Sequence, residues 1–246
     1  MEINNDPACL RIYLSLLTEK HKNSTTSNKE LQILLFGHLA KVYRSHLLDP
    51  LDKPPNVMKT VVRICENIHG FLKEPSPLIH LACANSLVDI LDNCFYTKDD
   101  KLSLSLIFYE PMAVVINGGL DILGQMGAAT CIMKLLEYLI GAKQDQLFDF
   151  IVPKFVQLFY RTKCDNQEFI QCMALVIEHS SLKYVSNNVW DVVSKLLKTL
   201  QSGNDTSNYL RKIEACNLLR LIAIKLKDVA DLIFGYMHRQ VIKTLE

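Results

Sequence analysis

Residues 147–182 hold the stretch Phe148-Asp149-Phe150-Ile151-Val152-Pro153-Lys154-Phe155-Val156, an apolar run interrupted by one proline, followed by a short polar link and a second apolar run. Apolar residues spaced three and four apart lie on one face of a helix, so two such runs around a short link predict a helical hairpin. The pattern returns at residues 189–197, with the link Ser202-Gly203-Asn204-Asp205-Thr206 and a second run over 210–219. It also stands upstream, at 57–71, with a link over 73–77 and a second run over 78–91. Two helices per unit at a period of roughly 40 to 47 residues mark a stacked array, in which each hairpin buries its apolar face only against its neighbours. The expected fold is therefore all-α, a right-handed α-α superhelix of about five helical hairpins plus a terminal helix, forming a single repeat domain over residues 1–246.

Working outward, the first hairpin is expected to pair helices over 7–20 and 29–48 across the polar link 21–28. Its core faces are read as Leu10, Tyr13, Leu14 and Leu17, then Leu31, Leu34, Leu35, His38, Leu39 and Val42. Prolines in Asp49-Pro50-Leu51-Asp52-Lys53-Pro54-Pro55 break the chain, because proline lacks the amide donor and restricts the residue before it. Asn56 is then the expected N-cap of the next helix. The second hairpin runs to about residue 96, and the third opens near Lys101, carries Pro111 and turns at Asn117-Gly118-Gly119. Gly124 and Gly127 in its second helix cost helix stability unless another backbone approaches closely, so they predict a tight packing point between adjacent repeats. Hairpins four and five are expected over 146–181 and 187–227. The last helix, 228–245, is rich in apolar residues such as Ile233 and Val241, which predicts that the array continues, packs on a partner or was cut there. Turn signals come about every twenty residues and no stretch alternates, so no strand is expected.

With 49% apolar residues and a net charge of +1, the chain can fill a core and is neither a disordered tail nor a strongly basic coat for nucleic acid. No apolar run reaches the roughly 20 residues that span a bilayer, and the acidic, polar amino end is unlike a signal peptide, which predicts an intracellular protein. Eight cysteines include no Cys-x-x-Cys pair. Cys65, Cys83, Cys131, Cys172 and Cys216 fall in apolar helical patterns, so they are expected to be buried, reduced and metal-free.

Motifs for chemistry are incomplete. The stretch from Gly119 to Gly124 and Gln125 lacks the lysine and hydroxyl of a phosphate loop. His80 and Cys83 share a helix face, but a zinc site needs three or four ligands, so His80 is read as a satisfied interior histidine. Asp145 and Asp149 suit a helix start, where the dipole favours carboxylates. Trp190, the single tryptophan, opens an apolar helix and is read as core. These readings predict no enzyme, no cofactor, no metal and no small-molecule substrate. Cations at the links carry the remaining signal. Intra-hairpin turns of a solenoid line up along one edge, so Lys22, Lys29, Lys73, Arg161, Lys163, Arg211 and Lys212 are expected to form a basic, partner-binding ridge despite the near-zero net charge.

The stretch Leu210-Arg211-Lys212-Ile213-Glu214-Ala215-Cys216-Asn217-Leu218-Leu219 resembles the second-helix HEAT consensus, and Ile151-Val152-Pro153-Lys154-Phe155-Val156 resembles the first-helix pattern with its proline. The order and spacing of hairpins over about 56–227 resemble the TOG-like HEAT domain of Tortifolia/Spiral-class microtubule-associated proteins. That resemblance implies a HEAT/armadillo-like solenoid whose intra-repeat turns face tubulin. TOG domains typically present a tryptophan on the first turn, whereas the link 21–28 holds no aromatic residue. The departure directs the expectation to the polymer lattice, or a lattice-bound protein, rather than free tubulin. The expected function is a noncatalytic scaffold on microtubules or a microtubule-associated assembly, placed in the cytoplasm and cytoskeleton, with the ciliary axoneme as one such array. Its expected partners are proteins, tubulin first, with neither nucleic acid nor membrane. The alternative is a trafficking or transport adaptor gripping peptides in its concave face; the ladder of paired Asn and Trp residues that marks an armadillo groove is not formed by Asn85, Asn217 and Trp190.

Overall fold

The computed structural model describes residues 7–18, 25–42, 54–94, 108–118, 121–180, 186–201, 209–227 and scattered positions between 230 and 239. The described residues are helical and carry no strand. The helices are α1 (Pro7–Thr18), α2 (Thr26–Val42), α3 (Pro54–Gly70), α4 (Pro77–Cys94), α5 (Glu110–Asn117), α6 (Ile122–Gly141), α7 (Asp145–Arg161), α8 (Gln167–His179), α9 (Val189–Gln201) and α10 (Tyr209–Lys225). A 3₁₀ turn, Phe71–Lys73, separates α3 from α4. The chain divides into two compact units, Met1–Tyr138 and Leu139–Glu246. Most of the terminal helix expected over 228–245 lies outside the described residues.

In the first unit α1 packs on α2 and α3 on α4, while α2 also packs extensively on α4. The α2–α4 contact is close because of Gly37. A Cβ there would stand 3.1 Å from Ser86. Ser86 itself is buried and donates its hydroxyl proton to the Ile33 carbonyl at 3.0 Å, so the contact carries no unsatisfied hydroxyl. The buried face of α2 is Ile33, Phe36, Gly37 and Ala40, the i, i+3, i+4, i+7 set. This corrects the expected core face. Leu31, Leu34, Leu35 and His38 are exposed, because α2 is apolar on two sides and the side bearing Gly37 and Ala40 lets α4 approach. Tyr13 on α1 is exposed as well.

Two helix starts also differ from expectation. Helix α3 begins at Pro54, before Asn56, because prolines are tolerated in a first turn whose amides have no helical acceptor. Helix α2 begins at Thr26. Thr25 caps it, accepting from the Asn28 amide at 3.3 Å. Gly127 fulfils its predicted role: a Cβ there would stand 3.0 Å from the His80 ring and 3.1 Å from the Leu72 carbonyl oxygen. Helix α6 thus rests directly on the turn between α3 and α4. Gly124 instead crowds Asp121 and Val115 of its own hairpin, and the Asp121 carboxylate accepts from its amide at 3.1 Å. The nearby Tyr138 hydroxyl donates to Asp92 at 2.9 Å.

In the second unit α7 packs on α8 and α9 on α10, while α7 also packs on α9 and α8 on α10. First helix therefore meets first helix, and second meets second. Its core centres on Phe155, Phe159 and Phe169, with ring centroids 5.2–6.4 Å apart and the Phe155–Phe169 pair edge-on. Pro153 lies within α7 on its exposed side, where solvent meets the backbone that the missing amide leaves open.

Cys65, Cys83, Cys131, Cys164 and Cys172 are buried free thiols. Burial pushes the Cys83 thiol up to about 12, so it is neutral and unreactive near pH 7. Cys216 is a correction: it is exposed, because α10 buries Ala215, Leu218, Leu219 and Ile222 and turns position 216 away from them. Trp190 is a second correction. It is 50% exposed, since α9 buries Val189, Val192, Val193 and Leu196 and position 190 falls outside that stripe.

Candidate functional site: the α7–α8 turn

Helix α7 ends at Arg161, and Asn166 caps α8 by accepting from the Phe169 amide at 2.8 Å. Between them residues 162–165 turn the chain, with Cys164 inside and Lys163 outside. The last carbonyls of a helix have no helical donor, and a basic side chain is one way to satisfy them. Lys195 of α9 does so here. Its Nζ donates to the carbonyl oxygens of Phe159 at 2.6 Å and Thr162 at 3.0 Å, and also to that of Cys164. The same ammonium lies 4.5 Å from the Phe159 ring centroid and 5.2 Å from that of Phe169, within cation–π range. Burial pushes the Lys195 ammonium down to about 8, against the opposing pull of Cys164 and Asp165. Burial likewise raises the Cys164 thiol.

A polar recess of about 420 Å³ opens above this lysine. Arg161, Lys163 and Lys198, all exposed, line it together with the half-buried Lys195, and Asp165 and Asp191 supply the opposing charge. Asp165 is already paired, its carboxylate accepting from Arg211 at 2.9 Å. Asp191 sits in the first turn of α9, where the helix dipole favours a carboxylate. Arg161 also approaches the Tyr160 ring at 6.0 Å.

The predicted ridge residues fall into separate groups. Arg161 and Lys163 come together, exposed, at the α7–α8 turn. Arg211, in the first turn of α10, is paired with Asp165 as a tie between α10 and the start of α8. One turn further along α10, Glu214 accepts from Gln171 at 2.9 Å and Gln167 at 3.5 Å. Lys212 is half-buried beside Arg211. In the first unit Lys73 is exposed, whereas Lys29 lies within the first turn of α2 and pairs with Glu74 at 2.8 Å. Lys22 lies outside the described residues. Lys195 is the site residue that the ridge argument left out, whereas Lys198 belongs with the cations around the fifth link. The sequence signal for Lys195 was its register: it follows Val192 by three and precedes Thr199 by four, so a lysine sits on the apolar face of α9.

Among the described residues no cluster of three His, Cys, Asp or Glu side chains could hold a metal ion. His80 is buried and its Nε2 lies 3.1 Å from the Leu72 carbonyl, which satisfies it. No described helix is long and apolar enough to cross a membrane. What the recess offers is exposed cations on an ordered turn, suited to holding negative charge. Comparison with protein-family models, curated proteins and solved structures gives no match.

Proposed function

We propose that the chain is a noncatalytic HEAT-type α-solenoid scaffold that binds microtubules, or a microtubule-associated assembly such as an axoneme, through its intra-hairpin turns. The observation that carries this reading is the α7–α8 turn, where Lys195 fixes the backbone and Arg161 and Lys163 stand exposed on it. The like-on-like packing of α7 with α9 and of α8 with α10 supports the stacked-hairpin architecture that the reading needs. Tubulin is acidic, and each exposed ion pair contributes only about 0–1 kcal/mol, so several turn cations must act together. Binding of this kind weakens with salt.

The test is co-sedimentation with assembled microtubules at low salt. Reversing the exposed cations together, with Lys73→Glu, Arg161→Glu and Lys163→Glu, is expected to weaken sedimentation about tenfold while the helical circular dichroism stays unchanged. A triple variant that sediments like the parent, or a parent that stays in the supernatant, would defeat the reading. A second reading, a peptide-binding adaptor, draws on Trp190, whose half-exposed ring on α9 suits a partner contact. Capture of short peptides without any microtubule sedimentation would favour it.

A further inference from the structure

The cations of the second unit are arranged around a concavity. Arg161 and Lys163 lie on the α7–α8 turn and Lys198 on α9, with the recess of about 420 Å³ among them. We propose that this recess receives an acidic peptide segment, whose successive carboxylates meet Arg161, Lys163 and Lys198 in turn while Lys195 holds the α7–α8 turn rigid. The proposal deepens the reading above and rests on its placing of contact at the hairpin turns; it does not depend on tubulin being the partner.

The chemistry of the walls selects the ligand class. Lys195 is the least exposed of the four cations lining the recess, but its ammonium is directed at the carbonyls of Phe159, Thr162 and Cys164, so it supplies no strong point of attachment to a single small anion. The cations that face outward are exposed and lie on different elements. Each gains little alone, which favours a ligand carrying several negative charges on one chain. Asp165 does not repel such a ligand strongly, because Arg211 neutralises it. Asp191 also lines the recess, so a bound chain gains at the three exposed cations and loses at this one position. Ser194 of α9 also lines the recess, exposed and small, so a chain can lie across it.

Fluorescence anisotropy of a labelled hexaglutamate peptide with the full chain tests this directly. Binding is expected at low salt and should weaken about tenfold both in Lys163→Glu/Lys198→Glu and in Ser194→Trp, which fills the recess without altering charge. Lys73→Glu, in the other unit, should bind like the parent. Circular dichroism of each variant shows whether it is folded, and Ser194→Ala, which adds no bulk, should retain full affinity. Absence of hexaglutamate binding overturns the proposal, as does equal binding by Ser194→Trp, which would leave a charged edge without a recess. Binding of inorganic phosphate at millimolar concentration with none of the peptide also overturns it, in favour of a simple anion site. Microtubule co-sedimentation separates the two readings: sedimentation without peptide binding sinks the recess alone, and peptide binding without sedimentation sinks the microtubule partner alone.

Discussion

The turn after α3 and the turn after α7 solve one problem with different chemistry. Each exposes helix-end carbonyls inside the protein, and each receives a buried basic side chain from a neighbouring helix. In the first unit His80, from the helix that follows the turn, meets the Leu72 carbonyl with one ring nitrogen at 3.1 Å. In the second unit Lys195, from the next hairpin, meets three carbonyls and two aromatic faces. The imidazole meets a single carbonyl with one ring nitrogen, and α6 seals this turn through Gly127. An ammonium brings a charge with it, and the second turn is left beside an open cationic recess. The first arrangement stabilises a hairpin; the second also shapes a surface.

The comparison breaks most clearly at Lys195. Lys195→Met keeps the apolar stem but leaves the carbonyls of Phe159, Thr162 and Cys164 without their donor. At about 1–3 kcal/mol for a buried unsatisfied group, a loss of roughly 3 kcal/mol is expected in urea unfolding of the second unit. The pH dependence has a definite sign. The folded value, about 8, lies below the ordinary 10.5, so across that window the unfolded chain binds the proton more tightly than the native one. The parent therefore carries its charge-burial cost in full below pH 8 and gains stability as pH rises from about 8 towards 10.5, a slope that Lys195→Met lacks. A variant as stable as the parent, with the same pH slope, would mean that the turn is closed without the ammonium.

Gly127 sharpens the same contrast from the sealed side. Its missing Cβ is what lets α6 rest on the His80 ring and the Leu72 carbonyl, at 3.0 and 3.1 Å from where a methyl would stand. Gly127→Ala should cost about 1–3 kcal/mol through overpacking. Gly70, at the end of α3, has nothing within 4 Å of a would-be Cβ and a helical backbone with φ −59° and ψ −25°. Gly70→Ala should therefore stabilise by about 0.4–1 kcal/mol through the unfolded chain. Opposite signs for two glycines around one turn, read from urea midpoints, are the expected result; equal signs would remove close packing as the reason for Gly127.

Much of this is legible in the amino-acid sequence. The hairpin at 147–182, its polar link and the packing role of Gly127 follow from spacing and from the cost of glycine in a helix. What misled was a helix with two apolar sides. On α2 the pattern offered both Leu31, Leu34, Leu35 and Ile33, Phe36, Ala40, and only the close approach permitted by Gly37 chooses the second. The same ambiguity placed Trp190 and Cys216 in the core, since a residue next to an apolar stripe is adjacent in sequence yet up to 100° away around the helix. Charge at the turns was legible as a count but not as a pairing. Nothing local in the sequence ties Lys29 to Glu74, or Arg211 to Asp165 some 46 residues away. Lys195 gives no such pairing signal, because a lysine in an apolar run is ordinarily a solvated interruption and its role here depends on carbonyls contributed by another hairpin.

Those two ion pairs give the finest comparison and the smallest effects. Lys29–Glu74 and Arg211–Asp165 have similar separations, 2.8 and 2.9 Å, and similar side-chain exposure, 25%/33% and 20%/30%. Solvent screening at that exposure limits either pair to about 0–1 kcal/mol. Chemistry should still separate them. A guanidinium is planar and loses less freedom per hydrogen bond than a lysine stem, and Arg211 stands one helical turn from Glu214, which the amides of Gln167 and Gln171 hold against α8. Double-mutant cycles in urea, with Lys29→Met and Glu74→Gln against Arg211→Met and Asp165→Asn, should give a coupling near zero for the lysine pair and about 0.5–1 kcal/mol for the arginine pair. Both couplings should shrink with added salt. If the lysine pair proves the stronger, Arg211 is not the tie between α8 and α10 that its geometry describes, and it returns to the set of cations free to meet a partner.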